Sequence, residues 1–184
     1  WEKKYPVVYI DFGGGVIKSS DGLKEIINYT LEKNAKNYDI ALEEHLPINL
    51  KFTELITNIY EKYNLPVVVL VDEYDKPILD AIGNIEIAYE NREILKNLYS
   101  PLKPLDPYLK LVFLTGVSRF SKVSIFSGLN QIRDITMSEE FATICGYTQS
   151  ELESVFEDRI KDFDKEEIKT WYNGYSWKGE SVYN

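Results

Sequence analysis

Two adjacent carboxylates, Asp72-Glu73, close a run of β-branched and apolar residues, Val67–Val71, within LPVVVLVDEYDKPI (65–78). Acids so placed suit phosphoryl chemistry: one orients a hydrated Mg2+ and the other polarises an attacking water. The pattern alone fits equally a pair of solvated carboxylates at a strand end. A later run, LKLVFLT (109–115), is followed by Gly116-Val117-Ser118-Arg119. Hydroxyls at Thr115 and Ser118 and a cation at Arg119 beside the acid pair are what sensing a γ-phosphate requires, and they favour the chemical reading.

These groups can meet only if both runs are parallel strands ending at one edge. Val67–Val71 has the length of a strand buried on both faces, as in a parallel sheet covered by helices. Open α/β sheets take their ligands outside the C-terminal strand ends. YPVVYIDF (5–12), followed by three glycines, reads as a first strand. Asp21 opens a helix with Leu23, Ile26, Ile27 and Leu31 at helical spacing. Pro47 starts a second, with Leu50, Leu55, Ile56, Ile59 and Tyr60 inward, and Asn64 ends it. A further helical pattern through Ile87, Ile94, Leu95 and Leu98 reaches a turn rich in proline, Pro101, Pro104 and Pro107. Strand, helices, strand is the crossover that joins parallel strands.

Beyond Phe120, residues 134–137 read as a short strand and Ser138 as the cap of a short helix to Cys145. Thr148 with Glu151 is a capping box, Asp164 with Glu167 marks another helix start, and Gly174 is placed to stop that helix. The expectation is an α/β core over residues 1–140 and a small helical appendage, incomplete, over 141–184.

Composition narrows the function classes. With 184 residues, 44% hydrophobic and 28% charged, the chain can bury one good core. A net charge of −9 argues against the whole domain gripping nucleic acid, which needs clustered Lys and Arg. No apolar stretch approaches the roughly 20 residues of a transmembrane helix, and no signal-peptide core is present, so the expected location is cytoplasmic, without membrane. Single Cys145 and His45 exclude an intrachain disulfide and any site built from several Cys or His ligands. His45 reads as a surface residue, Cys145 as a small core residue, and the 14 tyrosines as amphipathic packing. Trp1 at the start and Asn184 in an unfinished segment read as a piece of a longer protein.

The stretch Gly13-Gly14-Gly15-Val16-Ile17-Lys18-Ser19 invites comparison with G-x-x-x-x-G-K-[ST]. Phe12 and Ile17 fall where glycines are required, so it is not a Walker A loop. It compares better with D-x-G-G-T-x-x-K, the first phosphate loop of sugar-kinase and actin-like ATPases, through Asp11, Gly13, Gly14 and Lys18. Gly15 there replaces the phosphate-binding Thr, and a helix follows where that fold has a hairpin.

Four segments together, VVVLVDEYDKPI (67–78), LVFLTGVSRFSKVSIFSGLNQIRDIT (111–136), CGYTQSEL (145–152) and WYNGYSW (171–177) with Val182-Tyr183-Asn184, resemble the bacterial and archaeal AAA-ATPase-like proteins. Those are P-loop NTPases often fused to a C-terminal PD-(D/E)XK nuclease-like domain. The resemblance implies a three-layer parallel sheet flanked by helices, with ATP and Mg2+ as cofactors of the full-length parent. It implies Asp72 as the Mg2+-coordinating Walker B acid, Glu73 as the catalytic Glu, and Thr115 with Ser118 or Arg119 as the sensor region. Arg119 would report the γ-phosphate state to the appendage. The family's Walker A, of type R-R-F-G-K-S, lies upstream of the strand matching Tyr5–Phe12. This chain therefore reads as a fragment that begins after the P-loop and is inactive alone.

The resemblance also implies that the P-loop strand belongs between the sensor strand and the last strand. Its absence leaves unpaired main-chain groups, so the segment after Thr115 is expected to repack, or a neighbouring chain to pair along that edge. Partners implied are ATP and, through a nuclease-like domain of the parent, nucleic acid. The alternative is a non-catalytic regulatory or protein-interaction module on the same fold.

Overall fold

A computed structural model describes residues 3–118, 125, 126, 129 and 132–183. They divide into two compact units, Trp1–Gln131 and Ile132–Asn184. The first begins with strand β1 (Val7–Asp11). Ser19, not Asp21, caps helix α1 (Ser20–Asn37): its hydroxyl accepts the Gly22 N–H at 3.1 Å. Asp21 lies in the first turn, where its charge complements the helix dipole.

Pro47 precedes helix α2 (Ile48–Tyr63), which Asn64 ends in the left-handed conformation at φ 49°. Its buried stripe is Phe52, Leu55, Ile56 and Ile59, spaced by three and four. Leu50, expected inward, falls off that stripe and is 48% exposed. Strand β2 (Val67–Asp72) and the single turn α3 (Lys76–Leu79) follow. Asn84 then caps helix α4 (Ile85–Tyr99) by accepting the Ile87 N–H at 3.3 Å. Short 3-10 turns at Ser100–Leu102 and Asp106–Tyr108 absorb Pro101 and Pro107 before strand β3 (Leu109–Leu114).

The three strands form one parallel sheet in the order β1-β2-β3, with Asp11 opposite Asp72 and Val71 opposite Leu114. The chain is α/β, and helices flank the sheet. Val8, Ile10, Val67, Val69 and Val71 are buried on one face, while α1, α2 and α4 pack against one another. The other face carries Val7, Tyr9 and Leu111 at 38, 46 and 40% exposure.

The two sheet edges differ. The Tyr38 hydroxyl bonds both the N–H and C=O of Val7, at 2.6 and 2.9 Å, and the Asn34 amide does the same for Tyr9, at 3.1 and 2.9 Å. Side chains thus finish the β1 edge. Among the described residues no strand pairs with the outer edge of β3. Gly116–Ser118, where repacking along that edge was expected, turns toward the loop after β2.

The second unit is not purely helical. It contains α5 (Gln149–Val155), α6 (Glu157–Ile160) and α7 (Lys165–Tyr172), then an antiparallel pair, β4 (Asn173–Tyr175) and β5 (Val182–Tyr183). Thr148 and Glu151 form the full capping box, and Asp164 caps α7. Gly174 sits inside β4, one residue beyond the Asn173 cap of α7. Residues 134–137 form no strand: the Asp134 carboxylate accepts the Thr136 N–H at 3.0 Å and curls the chain into a turn. The helix expected from Ser138 to Cys145 is only a 3-10 turn, Glu139–Phe141, and Ser138 makes no side-chain cap bond to it; beyond it the chain bends, only Ala142 is buried, and Cys145 is exposed, contrary to expectation. Val155 and Trp171 also face outward, at 63 and 75% exposure, while Val182 and Tyr183 are buried. Among the described residues, no helix is long and apolar enough to cross a membrane.

Candidate functional site

Parallel strands end together, so the C-terminal ends of β1, β2 and β3 bring Asp11, Asp72 and Thr115 to one edge of the sheet. Period-two alternation puts these three side chains on the same face as Tyr9. The Thr115 N–H donates to the Val71 carbonyl at 2.9 Å, continuing the ladder past β3. Its hydroxyl donates to Asp72 Oδ1 in a short hydrogen bond. The same oxygen accepts the Glu73 N–H at 3.1 Å, and Oδ2 accepts the Tyr9 hydroxyl at 3.3 Å. Three donors from three elements therefore fix the Asp72 carboxylate.

Glu73 follows with φ 51°. A left-handed conformation costs a residue with a Cβ on the order of 1–2 kcal/mol, and such strain gathers at working sites. Its carboxylate reaches toward the loop after β1. A Cβ added to Gly13 would lie 3.0 Å from Asp11 Oδ1 and 3.2 Å from Glu73 Oε1. Gly13 thus sits beneath two acids, and its own N–H donates to Asp11 Oδ1 at 2.6 Å. Loss of hydration, then the charges of Asp11, Asp72 and Glu73, push the Tyr9 phenol above its usual range. The strand ends form an electronegative rim.

Among the described residues no three Asp, Glu, His or Cys side chains converge to cage a metal ion. Mg2+ does not require that, since it keeps several waters and takes one or two carboxylates together with phosphate oxygens. Asp72 fits such a role, because Oδ1 takes two donors and Oδ2 only one long one.

The structure brings Asp72, Glu73 and Thr115 together. Ser118 instead meets Tyr74 and Asp75 through its main chain: its carbonyl accepts the Tyr74 hydroxyl at 2.7 Å and its N–H donates to Asp75. Arg119 lies outside the described residues. In the glycine stretch, Ser19 caps α1, and the Ile17 N–H donates at 2.9 Å to Asp80, which also holds Lys76 at 2.9 Å. Sequence reasoning missed Tyr9, Tyr74, Asp75 and Gly116. Only Asp75, three residues after Asp72 and in the same loop, carried a signal that could have been followed.

No solved structure matches the chain. The "Uncharacterized protein in vnfD 5'region" of Azotobacter chroococcum mcd 1 is 45% identical over 184 residues, covering 100% of this chain and 36% of that protein. The chain thus spans about a third of the length of the curated relative it matches. Residues 1–126 match the AAA-ATPase-like family, described as "Predicted AAA-ATPase". That match takes in the three strands of the parallel sheet, the acid pair and the Thr115 edge, and the chain belongs to the AAA-ATPase-like family.

Proposed function

We propose that this chain is the Walker B and sensor part of a P-loop ATPase that binds and hydrolyses ATP with Mg2+. The observation that carries the reading is the hydrogen bond from Thr115 to Asp72 across the ends of two neighbouring parallel strands, with Glu73 beside it in a strained backbone. Asp72 would hold the hydrated Mg2+, which supplies charge neutralisation to the phosphates. Thr115 and the Glu73 N–H orient the Asp72 carboxylate. Glu73 would polarise the attacking water, and Arg119 would report the γ-phosphate to the second unit.

The phosphate-cradling loop would come from a segment upstream of Trp1. The sheet supports where its strand would go: the β1 edge is finished by Tyr38 and Asn34, and among the described residues no strand pairs with the outer edge of β3. In this reading a three-layer sheet is completed only when that strand and its helix are added.

The test uses the full-length protein and its Glu73→Gln variant. Mg-ATP binding should be retained and turnover reduced by about 10²- to 10⁴-fold. An unmutated full-length protein that binds no ATP would sink the proposal and favour a non-catalytic interaction module.

A further inference from the structure

Four hydrogen bonds tie the loop after β2 to the loop after β3. The Tyr74 N–H donates to the Thr115 carbonyl at 2.9 Å, and the Tyr74 hydroxyl donates to the Ser118 carbonyl at 2.7 Å. In the other direction, the Asp75 carboxylate accepts the Val117 N–H at 3.2 Å on Oδ1 and the Ser118 N–H on Oδ2. Asp75 is 0% exposed. Carboxylates are rarely buried so fully, and one that is needs strong compensation.

An ordinary explanation would be helix capping, since Asp75 stands at the N-cap of α3. Its side chain makes no capping bond there. It points across to the other loop instead. Gly116 shows how tightly that loop is drawn in: a Cβ at this position would lie 2.6 Å from Asp75 Oδ1 and 2.6 Å from Tyr74 Cε1. The Tyr74 ring is backed by Phe126, with centroids 5.2 Å apart.

We propose that Asp75 is a positioning residue, whose buried carboxylate holds the main chain of Val117 and Ser118 and thereby keeps the Thr115 hydroxyl on Asp72. Thr115 immediately precedes the held segment. Its N–H and C=O are both bonded, to Val71 and Tyr74, so its backbone is held on both sides at the position from which its hydroxyl reaches Asp72. The inference rests on the preceding reading in that Asp72 is the acid whose orientation matters for turnover.

The experiment compares the full-length protein with Asp75→Asn, Thr115→Ala and the double variant. Asparagine keeps the shape but offers one acceptor oxygen where two N–H groups need acceptors. Amide hydrogen exchange at Val117 and Ser118 should quicken in Asp75→Asn. ATPase kcat should fall by about 10- to 100-fold with KM unchanged, as when a group that orients a metal-binding residue is lost. In the Thr115→Ala background the same substitution should change kcat by less than about twofold, because both act through one hydroxyl.

Unchanged exchange at Val117 and Ser118, or kcat losses that multiply in the double variant, would overturn the proposal. If Asp75→Asn does not fold, Tyr74→Phe, which removes the hydroxyl bonded to the Ser118 carbonyl, loosens the same segment and should lower kcat in the same way; an unchanged kcat then overturns it. An unmutated protein that binds no ATP defeats the preceding reading separately, and the exchange measurement alone then decides whether Asp75 holds this loop.

Discussion

Replacing Gly116 with Ala adds one methyl group at the most crowded point of the strand ends. Its Cβ would lie 2.6 Å from Asp75 Oδ1, 2.6 Å from Tyr74 Cε1 and 2.7 Å from Tyr74 Cδ1. Comfortable contact needs roughly 3.5 Å, so the loop and its neighbours must part by about 1 Å. Neither neighbour is a free end. Asp75 is held by two main-chain N–H groups and Tyr74 by the Ser118 carbonyl. Overpacking of this kind costs about 1–3 kcal/mol, and losing a hydrogen bond to a buried carboxylate adds about 1.5–3 kcal/mol. Partial relaxation keeps the two from adding in full, and the expected loss is about 3 kcal/mol. Urea unfolding followed by circular dichroism measures it directly, with Gly14→Ala as the control, because a Cβ there meets nothing within 4 Å. The control should stay within about 0.5 kcal/mol of the unmutated chain. A Gly116→Ala variant as stable as the control would show that Asp75 and Tyr74 do not grip this loop.

Three other outcomes follow from particular contacts. Burial raises the affinity of Asp80 for its proton, but the Ile17 N–H and the Lys76 ammonium outweigh it and hold its carboxyl below the usual range. A depressed folded pKa contributes stability above the unfolded value of about 3.9, and that contribution disappears as pH falls through the folded value. Asp80→Asn should therefore cost about 1–3 kcal/mol at neutral pH and progressively less in acid, read from urea unfolding at several pH values; a penalty constant into acid would refute the assignment. Thr148→Ala should remove the half of the capping box in which the hydroxyl accepts the Glu151 N–H, leave the backbone half in place and cost about 1 kcal/mol, seen as faster amide exchange in α5. Asn34→Ala should expose the N–H and C=O of Tyr9, quicken exchange at the Tyr9 amide and lower stability by about 1–3 kcal/mol. Protection of that amide unchanged by the substitution would mean that something other than Asn34 finishes the β1 edge.

Much of this protein was legible because its signals are local. Val67–Val71 is apolar for the length of one strand, Thr148 stands three residues before Glu151, and Asn64 follows a helical stripe; each needs only its neighbours to take its conformation. Parallel pairing then puts Asp72 and Thr115 at one edge whatever the side chains between them do, which is why an acid pair and a distant hydroxyl could be matched from the sequence. Local patterning failed where burial depends on what packs nearby. Leu50 is spaced for the inner stripe yet exposed, and Cys145 lies in a bend that its apolar neighbours did not announce.

Tertiary structure alone decided how the edge is held. Asp75 follows the acid pair closely and looks like one more solvated carboxylate or a helix cap, yet it is buried under a loop more than 40 residues away. Tyr9 reads as a strand residue and meets Asp72 only because β1 and β2 pair in one register. Periodicity reports which face a side chain takes, not which main-chain groups will need an acceptor once the strands are paired. The sequence by itself determined that carboxylates and hydroxyls would gather at the ends of parallel strands. The fold determined which carboxylate lies at the strand ends beside Thr115, Asp72, and which is buried against the loop after β3, Asp75.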